Sequence, residues 1–407
     1  MSPVGWLQSK RRFIEGAPEL LRRAAEYSIR RAVIKATYPI VRHELGCRRV
    51  EREELLDLVD EQGWRRCTLR GARSVSFDPP TFEQSASAEI ADATGTYQFD
   101  PPFACELRDT TLRGPLALAT LSGGRLLPEK EADRSDLLPR GIGHALTERV
   151  TTARTPETEY DLATPLVGPM VKTFYHWFAD YLVRLECVNA FAEEFGEWPT
   201  LLIPENPPSW MSESLELTGY PEEAIEEWRG GTAAVDRLVL PSSRRRHCPW
   251  RCTTGFAHYD PAAFEWLREQ LGEAAEPVDR EWPSTVVISR EDAVARRLVN
   301  EVAVVDALSS YDPSRVVLSE LSIAEQVDLF RSTDLVVAPH GAGLLNMVYG
   351  DSLSVVELYG SSLYNALFYS LAEGQDFQYA CLKCDEVDGD LVVDTSSLLD
   401  AVESVAG

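Results

Sequence analysis

The sequence predicts an α/β protein built as a pair of Rossmann-type domains facing a cleft, with a small β-rich accessory region and a basic helical segment ahead of them. Beyond Tyr160, short apolar runs alternate with helix-period stretches, the pattern of parallel sheets joined by crossover helices. That alternation falls into two blocks, separated by the polar link Gly272-Glu273-Ala274-Ala275-Glu276-Pro277, which suits an interdomain connection. At 407 residues and 44% hydrophobic content, the chain exceeds one ordinary domain. The predicted divisions are 1–60 for the basic helices, 61–157 for the accessory region, 158–276 for the first Rossmann-like domain and 277–407 for the second.

From Arg12 to about Glu44, apolar residues such as Phe13, Ile14, Leu20, Leu21, Ile29, Val33 and Ile40 recur among arginines, with breaks at Pro18 and Pro39. These read as short basic amphipathic helices. They suit an anionic membrane surface, with apolar side chains at the headgroup boundary and arginines on phosphates, or equally the acidic body of the same chain. Charge divides accordingly: residues 1–50 hold 11 Lys and Arg against 4 Asp and Glu, a net +7, and the rest holds 29 against 61, a net −32.

No run of about 18 apolar residues occurs, and the start lacks the features of a secretory signal, so a cytoplasmic protein is expected, peripheral on the inner face of the membrane if residues 1–50 bind lipid. The eight cysteines are then reduced, and mostly small core residues. Lys10, Lys35, Lys130, Lys172 and Lys383 are the only lysines, and the net charge is −25. An acidic surface of this kind suits concentrated salt, where screening weakens self-repulsion. The same acidity, without an aromatic platform, excludes nucleic acid as a partner.

Residues from about 65 to 150 alternate β-type runs with Phe77-Asp78-Pro79-Pro80, Phe99-Asp100-Pro101-Pro102 and Ser122-Gly123-Gly124 punctuation. The first block then reads as a helix over 174–195, a strand over 199–203, a helix over 209–217, a strand over 236–240 and a helix over 261–271. In the second block a strand over 284–289 precedes a helix over 296–308, a strand over 315–318 and a helix over 323–332. A strand over 334–338, a loop at His340, a strand over 354–358 and a helix near Tyr364 complete it.

Chemistry concentrates at Asp334-Leu-Val-Val-Ala-Pro-His340-Gly341-Ala342-Gly343-Leu-Leu-Asn346, where a buried-type strand runs into a glycine-rich turn that opens a helix. Ligands of open α/β sheets bind at that end of the strands, glycines admit close backbone approach, and helix-start N–H groups favour phosphate. Asn346 stands where the dinucleotide fingerprint has its third small residue, which argues against a nicotinamide enzyme. Glu357, near the end of the next strand, is placed to accept from ribose hydroxyls. The strand 286–289 ends at Arg290, with Arg296 and Arg297 following, and guanidinium groups match phosphate geometry. In the first block, His176 and Asp180 share one helix face at i, i+4, and an imidazole there can take a proton from an attacking hydroxyl or simply be a hydrogen-bonded core residue.

Taken together, the Phe174-Tyr175-His176-Trp177 segment, the Ser289-Arg290 strand end, the His-Gly-Ala-Gly loop and Val355-Val356-Glu357 resemble glycosyltransferase family 61 over about Thr158 to Ala380. The resemblance implies the GT-B fold and a metal-independent, inverting transfer from a nucleotide sugar to a glycan or lipid-linked acceptor, with no cofactor. It implies that Arg290, with Arg296, holds the diphosphate, that His340, Gly341, Ala342, Gly343 and Asn346 hold the donor nucleotide and Glu357 the ribose, and that His176 or Asp180 serves the acceptor side, flanked by Tyr175 and Trp177. The family's asparagine before the aromatic-His segment is replaced by Lys172-Thr173, so Lys172 is placed to meet an anionic acceptor.

Other readings compete. Gly350-Asp351-Ser352-Leu353-Ser354 has serine-esterase letters, but no histidine follows His340 and no Gly-x-Ser-x-Gly occurs. Asp388-Gly389-Asp390 imitates a metal-binding pair yet sits between two β-type runs as a hairpin turn would. His247, Cys248 and Cys252 with Cys381 and Cys384 supply zinc-type ligands only if the segments meet. A non-catalytic nucleotide-sugar-binding or scaffold protein is the main alternative to the transferase.

Overall fold

A computed structural model describes residues 48–82, 85, 87–121, 125–126, 156–246, 258–276, 279–360 and 365–406. The basic helices expected over 12–44, the Ser122-Gly123-Gly124 punctuation, His247, Cys248, Cys252 and Tyr364 lie outside the described residues.

The second block forms a five-stranded, wholly parallel sheet in the order Pro313–Val316, Thr285–Ile288, Leu335–Pro339, Ser354–Tyr359, Gln378–Lys383. All four residues of Thr285–Ile288 and all five of Leu335–Pro339 are buried. Helices cover both faces, which is why the polar alternation of a one-sided strand is absent. From Thr285–Ile288 the chain goes to one side for Pro313–Val316 and then crosses to the other for Leu335–Pro339. The topological switch point, where such sheets take ligands, therefore lies beyond the carboxyl ends of Thr285–Ile288 and Leu335–Pro339. Those ends are followed by Ser289-Arg290 and by His340-Gly341.

The crossover helices have local reasons to start where they do. Ser322 and Glu325 close a capping box on the helix Ile323–Ser332, the hydroxyl accepting from the Glu325 N–H at 3.2 Å and the carboxylate from the Ser322 N–H at 2.8 Å. Asp260 caps Pro261–Ala274 through the Ala262 N–H at 3.2 Å, with proline at the first helical position.

The helix expected over 296–308 begins only at Glu301. Residues 296–299 instead lie beside a later hairpin through a single parallel bridge at Leu298↔Leu391: Arg296 N–H donates to Gly389 C=O at 2.8 Å, Leu391 N–H to Arg297 C=O at 2.8 Å, and Val299 N–H to Leu391 C=O at 2.8 Å. The partner is the hairpin Asp385–Val387/Asp390–Val392, whose turn places Asp388 and Gly389 at positive φ. Asp388-Gly389-Asp390 is thus a hairpin turn, with Asp390 gripping Arg297 at 2.9 Å.

In the other half, one sheet runs Arg48–Arg49, Arg125–Leu126, Leu118–Leu121, Phe103–Arg113, Thr232–Pro241, Thr158–Pro165, Thr200–Pro204, Ile225–Trp228, and Arg66–Thr68 also pairs with Phe103–Arg113. The last four strands of that order are mutually parallel. Phe103–Arg113 joins them antiparallel, in register from Thr232↔Arg113 to Pro241↔Ala104, so strands of the β-rich stretch continue the sheet of the first block. This pairing also explains why the strand expected over 236–240 is longer, spanning Thr232–Pro241.

The two sheets share one apolar core, in which Phe178, Leu182, Phe264 and Leu267 pack with Val286, Phe330, Leu344 and Phe368. The short helix Ala342–Tyr349 lies at its centre, packed by Phe174–His176, Pro261–Ala274, Ile323–Ser332 and Leu367–Gly374. The His176 turn and the glycine loop are neighbours for that reason. No described helix is long and apolar enough to cross a membrane.

Candidate active site

At the switch point, Arg290 lies against Gly341 so closely that a Cβ there would stand 2.2 Å from Nη1. A side chain at Gly341 would displace the guanidinium, so glycine serves this approach rather than a backbone angle, since φ is 177°. Among the described residues, the guanidinium of Arg290 otherwise makes only long hydrogen bonds, Nε and Nη2 to Ala295 C=O at 3.4 Å each. Arg296 reaches the same loop from the far side, donating from Nη1 to His340 C=O at 2.5 Å, from a backbone held at φ 60°. Its Nε is buried without an acceptor. Among the described residues neither guanidinium forms an ion pair.

Burial, and then the charge of Arg296, push Arg290 below the usual arginine range, against a smaller opposing effect of Asp292. Burial likewise lowers Arg296, opposed by Glu357. Both stay protonated at any physiological pH. Two half-buried, mutually repelling cations without carboxylate partners are incomplete alone and favour an anion between them. Ala342 and Gly343 open the short helix after the loop, so their N–H groups have no intrahelical acceptor.

The rest of the loop faces inward. Glu357 is 0% exposed, one oxygen held by His340 Nδ1 and the other accepting from Tyr379 OH at 2.5 Å. It therefore anchors His340 from a fully buried position, a role the sequence alone did not show. Asn346, also buried, donates to Gln326 Oε1 at 2.9 Å and Gly343 C=O at 3.2 Å, bracing the loop, while its Oδ1 is buried without a partner among the described residues. Gly343 is required by Leu318, whose Cδ1 would be 2.8 Å from a Cβ.

Across the cleft the helix over 174–195 is present but irregular. Trp177–Tyr181 is a π-turn, closed by the Leu182 N–H to Trp177 C=O bond, followed by a 3₁₀ turn at Leu182–Arg184. His176 Nδ1 lies 2.7 Å from Asp180 Oδ2. Asp180 Oδ1 accepts from Tyr259 OH at 2.9 Å and lies 3.6 Å from Arg245 Nη1. Burial alone would raise the Asp180 carboxyl, but the His176 hydrogen bond, the Arg245 charge and the Tyr259 hydroxyl outweigh it and hold it down to about 2. An ionised carboxylate can only accept, so Nδ1 carries the proton and a neutral ring has its lone pair on Nε2.

Trp177 is 0% exposed, its Nε1 donating to Ser214 Oγ at 2.8 Å, so it packs the core and does not touch an acceptor. Tyr175 is also buried: its ring meets Phe368 edge-on at 6.1 Å, and Phe368 in turn meets His340 at 5.1 Å. Phe368 thus joins the His176 side to the His340 side. Lys172 is exposed just ahead of the turn. Sequence reasoning missed Arg245, Tyr259, Phe368 and Tyr379. For Tyr259 the only signal was its place directly before the Asp260-Pro261 helix start.

Among the described residues no group of His, Cys, Asp and Glu is arranged to hold a metal. Cys381 and Cys384 are buried, with Sγ 3.8 Å from Ser85 C=O and 3.6 Å from Leu382 C=O. Cys67, Cys105 and Cys187 are buried as well.

A model of the family described as Glycosyltransferase 61 matches residues 174–357, from the start of the His176 turn to the Glu357 that anchors His340. No curated protein matches the chain.

Proposed function

We propose that this chain, which belongs to glycosyltransferase family 61 through residues 174–357, transfers a sugar from a nucleotide-diphosphate donor to a hydroxyl of a glycan or lipid-linked acceptor. The reading rests chiefly on the Arg290–Arg296 pair, two cations without ion-pair partners among the described residues, converging on the His340-Gly341 loop at the switch point. In this reading the donor's pyrophosphate lies between them, near the Ala342 and Gly343 N–H groups, and the guanidinium charge stabilises the departing diphosphate without a metal. The histidine Nε2, oriented through Nδ1 by Asp180, removes the acceptor proton as its oxygen attacks the anomeric carbon from the face opposite the leaving group, which inverts the configuration. Asp180, held ionised, orients the base and does not itself take the proton. Tyr175 and Phe368 join the two sides of the cleft, and Lys172 at its edge favours an acceptor carrying negative charge.

Isothermal titration with uridine and guanosine diphosphates, paired with donor-turnover assays, tests the reading. His176→Gln keeps nucleotide affinity and loses turnover, whereas Arg290→Gln loses both. Turnover by His176→Gln at the wild-type rate would remove the assigned base. Nucleotide binding by a wild type that never transfers sugar would favour the scaffold alternative.

A further inference from the structure

The segment that carries Arg245 and Tyr259 is fixed more firmly than a cleft wall requires. Arg245 and Tyr259 face each other in an antiparallel bridge, bracketed by Arg246 N–H to His258 C=O and Asp260 N–H to Arg244 C=O, both 2.8 Å. Such a pair presents both side chains on one face, and that face meets Oδ1 of Asp180. Beneath it, Arg244 is 3% exposed and clamped between Glu186 and Asp260, the latter at 2.7 Å. Glu186 is also held by Arg70 at 2.8 Å, and Asp260 caps Pro261–Ala274. The bridge is therefore tied at once to the helix over 174–195 and to the helix that packs the glycine loop.

We propose that Tyr259 and Arg245 are positioning residues that occupy Oδ1 of Asp180, leaving Oδ2 to fix the tautomer and set the basicity of His176, with Arg244 holding the bridge in place. The proposal rests on the transferase reading only in giving His176 a proton to take; the geometry stands without it. Among the described residues, the groups shown against the His176–Asp180 pair are Tyr175 on the same turn and Arg245 and Tyr259 on the bridge, and Leu367–Gly374 brings the apolar Phe368 against Tyr175. Tyr259 and Arg245 compete with the imidazole for one carboxylate. A carboxylate already satisfied at Oδ1 pulls less on Nδ1–H, and the nearby Arg245 charge disfavours a second cation.

Selective ¹⁵N-histidine NMR on the full chain, with His176→Gln to assign the signal, reads the tautomer and titration of His176 directly. Wild type shows the Nδ1–H tautomer. Tyr259→Phe and Arg245→Gln each move the His176 titration to higher pH by about half a unit or more, Arg245→Lys restores it, and the acid limb of kcat/KM moves by the same amount. A His176 titration unchanged in Tyr259→Phe and Arg245→Gln would overturn the proposal. Loss of donor turnover in wild type with the NMR shifts intact would sink the transferase reading and leave the positioning intact; unshifted NMR with normal transfer would do the reverse.

Discussion

Arg290→Gln offers a perturbation whose size follows from the site. A guanidinium about 4 Å from a phosphate oxygen, at an effective dielectric of about 20, contributes about 4 kcal/mol. Part of this is returned on its removal, because Arg290 repels Arg296 in the empty site and a freed phosphate oxygen regains water. About 2–3 kcal/mol remains, which is a loss of about 30- to 150-fold in affinity for a nucleoside diphosphate. Differential scanning fluorimetry separates this from damage to the fold. At a ligand concentration about 100 times the wild-type Kd, wild type gains about 2.7 kcal/mol of stability, whereas a variant bound about 100-fold more weakly gains only about 0.4 kcal/mol. Without ligand, Arg290→Gln melts no lower than wild type, since its only side-chain hydrogen-bond acceptor among the described residues is Ala295 C=O at 3.4 Å and a like charge is removed. A variant that melts lower alone, yet keeps the full ligand-induced gain, would show Arg290 to be a structural arginine and refute the argument.

Other perturbations follow from the burial and hydrogen bonds. Trp177→Phe opens a cavity and removes the N–H that Ser214 accepts, costing about 2–3 kcal/mol in urea unfolding, while the acceptor KM of the folded enzyme is unchanged. Tyr379→Phe removes a donor from the buried Glu357 and lowers stability by about 1–3 kcal/mol, where a solvated carboxylate would register no change. Burial raises the Glu373 carboxyl to about 7, reinforced by Asp78 and Asp376 against the opposing Asp78 N–H. The folded state then keeps a proton that the unfolded chain releases, so stability declines from about pH 4.5 to about pH 7, and Glu373→Gln flattens that decline in pH-dependent melts.

Much of the second sheet was legible because its signals are local. Ile323–Ser332 has its capping box in the sequence, and Leu335–Pro339 and Ser354–Tyr359 are apolar runs bounded by Asp334, Gly341 and Gly360. Placing a strand does not reveal which way its polar residue points. In Ser354–Tyr359 five of six residues are buried, so no alternation remained to show that Glu357 turns toward Tyr379 on the next strand. Trp177 was misread for a related reason: an aromatic beside His176 looks like a cleft residue until the π-turn rotates it onto Ser214. Residues 296–300 have a helical composition but bond to a hairpin some 90 positions later, a pairing that periodicity cannot see. Tyr259 and Arg245 were missed because their role exists only across the bridge between them, where 14 positions of sequence become one face.

The most direct measurement is a crystal structure of the chain soaked with uridine or guanosine diphosphate. The account predicts phosphate oxygens within hydrogen-bonding distance of Arg290 and Arg296, over the Ala342 and Gly343 N–H groups. Nucleotide bound elsewhere, with the two guanidinium groups unchanged and the loop crevice unfilled, would contradict it.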